Sequence, residues 1–531
     1  MKIDFLHEPE LEFGGGGQHI DIRFGLMLHG PLDQGSGRAP VDIKLAIVGI
    51  TETVEGVARW LERCRSVIPA KRSKQPNLFP RFPGFARETL GSELIIDRQL
   101  QATIMQRAIT SAVTLGRTAA GVDQAVDVFL EQCQHLAEKA RPDVLICAPP
   151  ADLLEMLDPD EDKEETEEPA SQAGLQSQAN GAEPHNGVGQ AHQDKAPDDV
   201  GREDVESDED AATAGEEDVE RKPPTVPSFH DVLKARGMGI GIPIQMVRPE
   251  TYDAERRRRQ KARPDRIRQL QDEATRAWNF HMALYYKAGG TPWRLVREAA
   301  DYSTCYVGVS FYKSSDDDAL LMTSMAQVFN ERGDGVIVRG GQARLSKLDR
   351  RPHLDLDGAR TLLQTALASY RREHKTSPAR VVVHKTSGYN DDELAGFRKA
   401  AEAERIEGLD LISLRHSSTR LFRVGDYPPL RGTLVEMDER THLLYTRGSV
   451  DFFAAYAGMY VPRPLEFLCQ DTEQTPRFLA SEMLGLSKMN WNNTQFDGAD
   501  PITTRAADQV GSILRHVPDH VVPQARYAYY I

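Results

Sequence analysis

The chain has 531 residues, of which 40% are hydrophobic and 27% charged, with a formal net charge of −15. Its length suits about two to four domains with real cores, and it holds no apolar run of the roughly eighteen residues that a membrane span needs. The start, Met1-Lys2-Ile3-Asp4-Phe5-Leu6-His7-Glu8, has no apolar core of a signal peptide and no cleavage site, so a cytoplasmic protein is expected.

The charge is unevenly spread. Residues 158–220 hold 22 Asp and Glu against 3 Lys and Arg, a balance of −19 that leaves the rest of the chain at +4. A mildly basic body permits a groove for nucleic acid. The acidic tract, 157–222, is almost free of aromatics and buries too little to offset its ordering entropy, so a disordered insertion is expected there. The five cysteines, Cys64, Cys133, Cys147, Cys305 and Cys469, are scattered without a Cys-x-x-Cys. They read as reduced core residues and not as a disulfide frame or zinc site.

In chain order, Phe13-Gly14-Gly15-Gly16-Gly17-Gln18 marks a backbone turn. A hairpin is expected; a phosphate cradle is conceivable, although no Gly-Lys-Ser/Thr follows. Val41 to Ile50 predicts a buried strand, and Thr51 is expected to cap a helix running to about Arg65. A strand at Leu94-Ile95-Ile96, one or two helices over 100–140 and a strand at Asp143 to Ala148 follow. This alternation predicts a small parallel α/β unit. Beyond the acidic tract come a short strand, Ile242 to Val247, and a basic helix containing Arg256, Arg257, Arg258, Arg259, Lys261, Arg263, Arg266 and Arg268. Such a charge density suits phosphate contact as well as a solvated face. A helical pattern then continues through Trp278 to Lys287.

The second half opens on the strand Tyr306-Val307-Gly308-Val309-Ser310-Phe311-Tyr312, β-branched and aromatic and too short for a buried helix. An acidic turn, Asp316-Asp317-Asp318, follows. A helix or strand is expected around Met322–Asn330, then a strand at Gly335 to Arg339. A long helix over about Asp357–His374 has Leu362, Leu363, Ala366, Leu367 and Tyr370 at helical spacing. Arg380-Val381-Val382-Val383-His384 reads as a central strand. Asn390 begins another helix, strands follow at 409–415 and 441–446, and a helix runs from about Thr503 to His516.

Several segments, taken in order, resemble the MID and PIWI modules of Argonaute proteins. They are Phe229-His230-Asp231-x-Leu233-Lys234, Ile242-Pro243-Ile244-Gln245, Tyr285-Tyr286-Lys287-Ala288-Gly289-Gly290-x-Pro292-Trp293, Tyr306-Val307-Gly308-Val309, Val381-Val382-Val383-His384, Lys488-Met489-Asn490-Trp491-Asn492-Asn493-Thr494 and Pro501-Ile502-Thr503. The resemblance covers roughly 226–531 well and the first α/β part more weakly. It implies an α/β protein: a Rossmann-like MID domain over 1–290, interrupted by the acidic insertion, then an RNase H-like PIWI domain over 291–531. The length leaves no room for N and PAZ domains, so the chain looks like a short prokaryotic Argonaute.

The resemblance also implies site residues. His230 would meet the first guide nucleotide, and Lys234, Gln245 and Lys287 would hold its 5′ phosphate. A Mg2+ ion would bridge that phosphate to Gln245 and to the carboxylate of Ile531. Arg256, Arg257, Arg259 and Lys261 are candidates for guide or target backbone. Active relatives hold two metal ions with carboxylates at the positions of Ser310 and Thr386, where hard cations find no anionic oxygen here; Asp508 matches the last such position. The family pattern is then an inactive protein that binds a small guide RNA and complementary single-stranded DNA. It would act through an APAZ-containing effector of TIR, sirtuin-like or nuclease type, with a higher oligomer possible on activation. A guided nuclease using displaced carboxylates is the alternative.

Overall fold

A computed structural model of the chain describes residues 2–73, 75–157, 226–253, 271–296, 302–314, 320–329, 335–423, 428–453, 456, 461–494, 498–518 and 520–531. The acidic insertion after Leu157, the basic helix with Arg256, Arg257, Arg259 and Lys261, and the turn Asp316 to Asp318 lie outside the described residues.

The first sheet is parallel. Its central strand, Asp42–Gly49, pairs with Glu93–Ile95 and Gln101–Thr103 along one side and with Val144–Ala148 on the other, and Ile244–Met246 extends that side. Side chains alternate across a strand. Ile43, Leu45 and Ile47 therefore enter one hydrophobic core and Ala46 and Val48 another. With both faces buried, the strand reads as an unbroken apolar run. The helix expected from Thr51 spans Thr51–Arg63. Thr51 is its first helical residue and not its cap: Ile50 holds the capping position without a side-chain hydrogen bond. The 100–140 stretch forms two helices, Gln106–Thr114 and Ala119–Ala140.

The second sheet has ten strands. In spatial order they are Lys2–Phe5, Thr433–Glu436, Thr441–Leu444, Leu465–Asp471, Gly408–His416, Arg380–Lys385, Thr304–Lys313, Leu321–Phe329, Gly335–Leu345 and Pro352–His353. Among the described strands, Arg380–Lys385 pairs in parallel with both Gly408–His416 and Thr304–Lys313, and the other neighbouring pairs are antiparallel. The segment around Met322, read as helix or strand, is thus a strand. Helices Leu356–His374 and Asp391–Ala403 share a core with Cys305, Val307 and Val309. Asn390 starts the second of these through a reciprocal capping box with Glu393. Helix Ile502–Leu514 covers the other face, where Tyr306 packs.

Gly308 allows that helix to lie close. A Cβ on Gly308 would stand 1.9 Å from the carbonyl oxygen of Thr503. Ser310, two residues along the same strand, consequently faces the helix and not the opposite core.

The sheets do not divide at residue 290. Lys2–Phe5 pairs with Thr433–Glu436, and Leu11–Glu12 pairs with both Gln18–His19 and Arg294–Leu295. The glycine turn is the expected hairpin, a 3-10 turn at Gly14–Gly16 between two short strands. All five cysteines are buried and free, with Cys133 and Cys147 sulfurs 3.6 Å apart. Among the described residues, no helix is long and apolar enough to cross a membrane.

Candidate nucleic-acid interface

Two buried lysines meet at the end of the chain. Lys234 lies on helix Phe229–Gly237, whose N-cap, Ser228, accepts from Asp231 N–H. Its Nζ donates to Tyr530 O at 3.2 Å. Lys287 closes helix Glu273–Lys287, and its Nζ donates to Ile531 O. Tyr530 and Ile531 are themselves buried. Tyr529 OH reaches Gly241 O at 2.7 Å and Gln524 Nε2 reaches Met238 O at 3.2 Å, which seats the final segment against the turn before strand Ile244–Met246.

Burial, then the neighbouring charge of Lys234, pushes the Lys287 ammonium well below the usual lysine range. Two like charges out of water raise each other's cost. Asp231 offsets part of it: burial works to raise its carboxyl, but the hydrogen bond and charge of His230, with His516 and Lys234 behind them, hold it below the usual carboxylate range. His230 sits one helical turn before Lys234, its Nδ1 3.0 Å from Asp231 Oδ1. Gln245 donates through Nε2 to Met246 O at 3.0 Å, while its amide oxygen is buried with no partner. An orphaned buried acceptor is costly, and an oxygen of this kind suits a hard cation. The structure thus brings Lys234 and Lys287 together at Ile531 and leaves the Gln245 oxygen uncommitted.

The second candidate position lies on the large sheet. Thr386 follows strand Arg380–Lys385, and its N–H donates to Val309 O at 3.2 Å. Register places Val309 opposite Lys385, so Ser310 and Thr386 are the next pair. Ser310 Oγ donates to Asp508 on helix Ile502–Leu514. Asp508 is exposed on its helix, yet desolvation by the surrounding protein raises its carboxyl to about 6, against the hydrogen bond from Ser310 and with the charge of Asp500. Asp500 in turn pairs with His416 Nε2 at 3.1 Å. Sequence reasoning did not find Asp500 or His416; they stand 84 positions apart with no motif around either. Among the described residues, no group of three or more His, Cys, Asp and Glu side chains is arranged to hold a metal ion.

This geometry gives a pH dependence. The folded Asp508 carboxyl, at about 6 against an ordinary 3.8, holds its proton where the unfolded chain has lost it. Its contribution to stability is full below about pH 4 and is lost as pH rises through about 6; because the residue is exposed, solvent screening cuts it to about 1 kcal/mol or less. Asp508→Asn escapes that loss. Its stability relative to the wild type is therefore expected to rise between pH 4 and pH 7, as read from denaturant midpoints. A constant difference across that range would contradict the raised carboxyl.

No family model matches the sequence, and no curated protein matches it. Solved structures do. The chain is similar to Clostridium butyricum Argonaute bound to a guide DNA and a 19-mer target DNA, at TM-score 0.60 and 13% identity, covering 100% of this chain and 55% of that one. It is similar to Aa-Ago with externally bound siRNA, at TM-score 0.55 and 13% identity, over 100% and 56% of the two chains. Drosophila Piwi aligns at TM-score 0.54 and 13% identity, over 99% and 56%. The chain spans about half the length of these structures. Over that half, it has an Argonaute-like fold.

Proposed function

We propose that the chain is a guide-programmed nucleic-acid sensor of prokaryotic defence, a short Argonaute. It holds the 5′ phosphate of a small guide RNA with Lys234, Lys287, Gln245 and His230, and it displays the guide bases to complementary single-stranded DNA of a plasmid or phage. Specificity then lies in base pairing, while the protein reads backbone and duplex shape. The observation that carries this reading is the pair of buried lysines at Ile531. A phosphate dianion placed there would add negative charge beside two closely set, buried ammonium groups. A Mg2+ ion, held by the Gln245 amide oxygen and the Ile531 carboxylate, would neutralise the remaining phosphate charge. The basic segment from Arg256 to Lys261 would add a salt-sensitive contact to guide or target backbone.

The sensor does not cleave. Ser310 and Thr386 offer no anionic oxygen, and Asp508, which accepts from Ser310, is the one carboxyl among the three positions. Output passes to an APAZ-containing partner carrying an NAD-consuming or nuclease effector. Sequencing the nucleic acid that co-purifies with the chain tests the guide: short RNAs of uniform length with 5′ phosphates are expected, and their absence from protein that also ignores synthetic phosphorylated guides would remove this reading.

Asp500, close enough to raise the Asp508 carboxyl, favours a second reading in which displaced carboxylates run a guided nuclease. Incubating guide-loaded protein with target in magnesium or manganese separates the two. No product is expected; metal-dependent product that Asp508→Ala abolishes would establish the nuclease.

A further inference from the structure

A cavity of about 330 Å³ opens between the glycine turn and the segment that follows Lys287. Its lining includes Phe13, Gly16, Leu32, Asp33, Arg38 and Thr291. We infer that this cavity is a second ligand site, one that takes a phosphate monoester of mononucleotide size carrying hydroxyl or amino donors. None of the residues assigned to the guide phosphate belongs to it, so the inference stands or falls apart from the proposed function.

Size comes first. This volume lies at the lower end of small-molecule sites and is too small for a strand or a peptide. The floor is apolar: Phe13 is fully buried and Leu32 partly so. Around it stand groups of two kinds. The donors are the Arg38 guanidinium and the Ser36 hydroxyl. Arg38 is exposed and has no described carboxylate within ion-pairing distance. Gly16 has φ +77°, a left-handed conformation that glycine adopts without penalty. The Arg526 guanidinium adds to the field, since its Nη2 lies within 3.7 Å of where a Cβ on the wall residue Gly289 would stand.

The acceptor is Asp33. Its carboxylate is fixed by Tyr285 OH at 2.5 Å and by Thr291 N–H at 2.9 Å, one bond to each oxygen. Each oxygen keeps a second lone pair for a ligand donor. The remaining arginine of the wall, Arg294, is held by Glu12 in a bidentate pair at 2.9 and 3.0 Å and so is neutralised. Together these select a molecule with an anionic end for Arg38 and Ser36, and neutral donors for Asp33. A nucleoside monophosphate and a sugar phosphate share that chemistry. A simple anion lacks donors set apart from its charge, and a bare nucleoside lacks the charge.

The site adjoins the other pocket through the chain. Gly289 in the wall is two residues beyond Lys287, and Tyr285, which holds Asp33, is two residues before it. A ligand here would stiffen the end of the helix that delivers Lys287.

Calorimetric titration of the full chain with AMP, UMP, ribose 5-phosphate and inorganic phosphate tests the inference. Each probe is run against the wild type, Arg38→Ala and Lys234→Ala. Arg38 is exposed and unpartnered, so its replacement is expected to leave folding intact, which thermal melting checks. The expected result is a site that survives Lys234→Ala and is weakened at least tenfold by Arg38→Ala. Nucleotides binding more tightly than ribose 5-phosphate would identify a nucleotide ligand, and equal binding a sugar phosphate. Affinity unaffected by Arg38→Ala, binding that vanishes wholly with Lys234→Ala, or inorganic phosphate binding as tightly as the organic monoesters would overturn it.

Discussion

Replacing both buried lysines, Lys234→Met with Lys287→Met, is expected to weaken binding of a 5′-phosphorylated guide about 100-fold. A 5′-hydroxyl guide of the same sequence should change by less than about threefold. The estimate assigns each lysine a charge-assisted contact of about 1.5 kcal/mol or more, so that two together approach the roughly 3 kcal/mol of a hundredfold change. Methionine keeps most of the side-chain volume, and the change removes two like charges from the interior. The change also strands the buried Tyr530 and Ile531 oxygens that the lysines serve, so the unliganded variant is expected to melt lower than the wild type. The 5′-hydroxyl guide, measured on the same protein, separates a lost phosphate contact from a lost fold. Filter binding with both guides checks the first part. Equal weakening of the two guides would remove the phosphate from this pocket.

Arg380→Met is expected to cost about 3–5 kcal/mol of stability, the penalty for stranding buried partners of a removed charge. Arg380 Nε donates to Asp410 Oδ2 at 2.6 Å, and its Nη1 and Nη2 donate to the two oxygens of Glu482 at 2.6 and 2.9 Å. Tyr306 OH also donates to Glu482. Asp410 is fully buried, its other oxygen accepting from Glu473 N–H at 2.7 Å and Gln474 N–H at 3.1 Å. The network ties the strand holding Arg380 to its parallel neighbours and to helix Pro476–Leu486. One of those strands carries Ser310 and another ends just before Thr386, so their register sets the second candidate position. Denaturant midpoints measure the loss. Adding Glu482→Gln should recover part of it, because one stranded carboxylate becomes neutral; a double variant less stable than Arg380→Met would show that the carboxylate is not stranded by the arginine's removal.

Periodicity and composition by themselves determined the strand at Val144–Ala148, the paired helices between 100 and 140, the long helix ending at His374 and the helix begun by Asn390. Each is long or strongly patterned, and its apolar face is written locally. The glycine hairpin was legible for the same reason. Less legible were the strands Lys2–Phe5, Thr433–Glu436 and Leu465–Asp471 and the helix Pro476–Leu486. These short pieces take their conformation from a partner far away in sequence: Ile3 is opposite Val435, and Ile412 opposite Cys469. Local sequence carries no record of such a partner. Thr51 was misplaced by one position because its side chain suits a cap, while the strand before it leads straight into the helix.

The site divides in the same way. The order of short motifs singled out His230, Lys234, Gln245, Lys287, Ser310, Thr386 and Asp508. Only the tertiary structure decided that Lys234 and Lys287 both end on the last two residues of the chain, because two helices and a terminal segment converge there. It also decided that Ser310 spends its hydroxyl on Asp508, a contact that requires helix Ile502–Leu514 to settle where Gly308 has no side chain. Asp500, His416 and the cavity beside Arg38 came from the fold alone. Charge, polarity and backbone freedom are properties of single residues, and the sequence states them. Burial and proximity belong to pairs brought together by folding, and they decide which of those charges lack a partner.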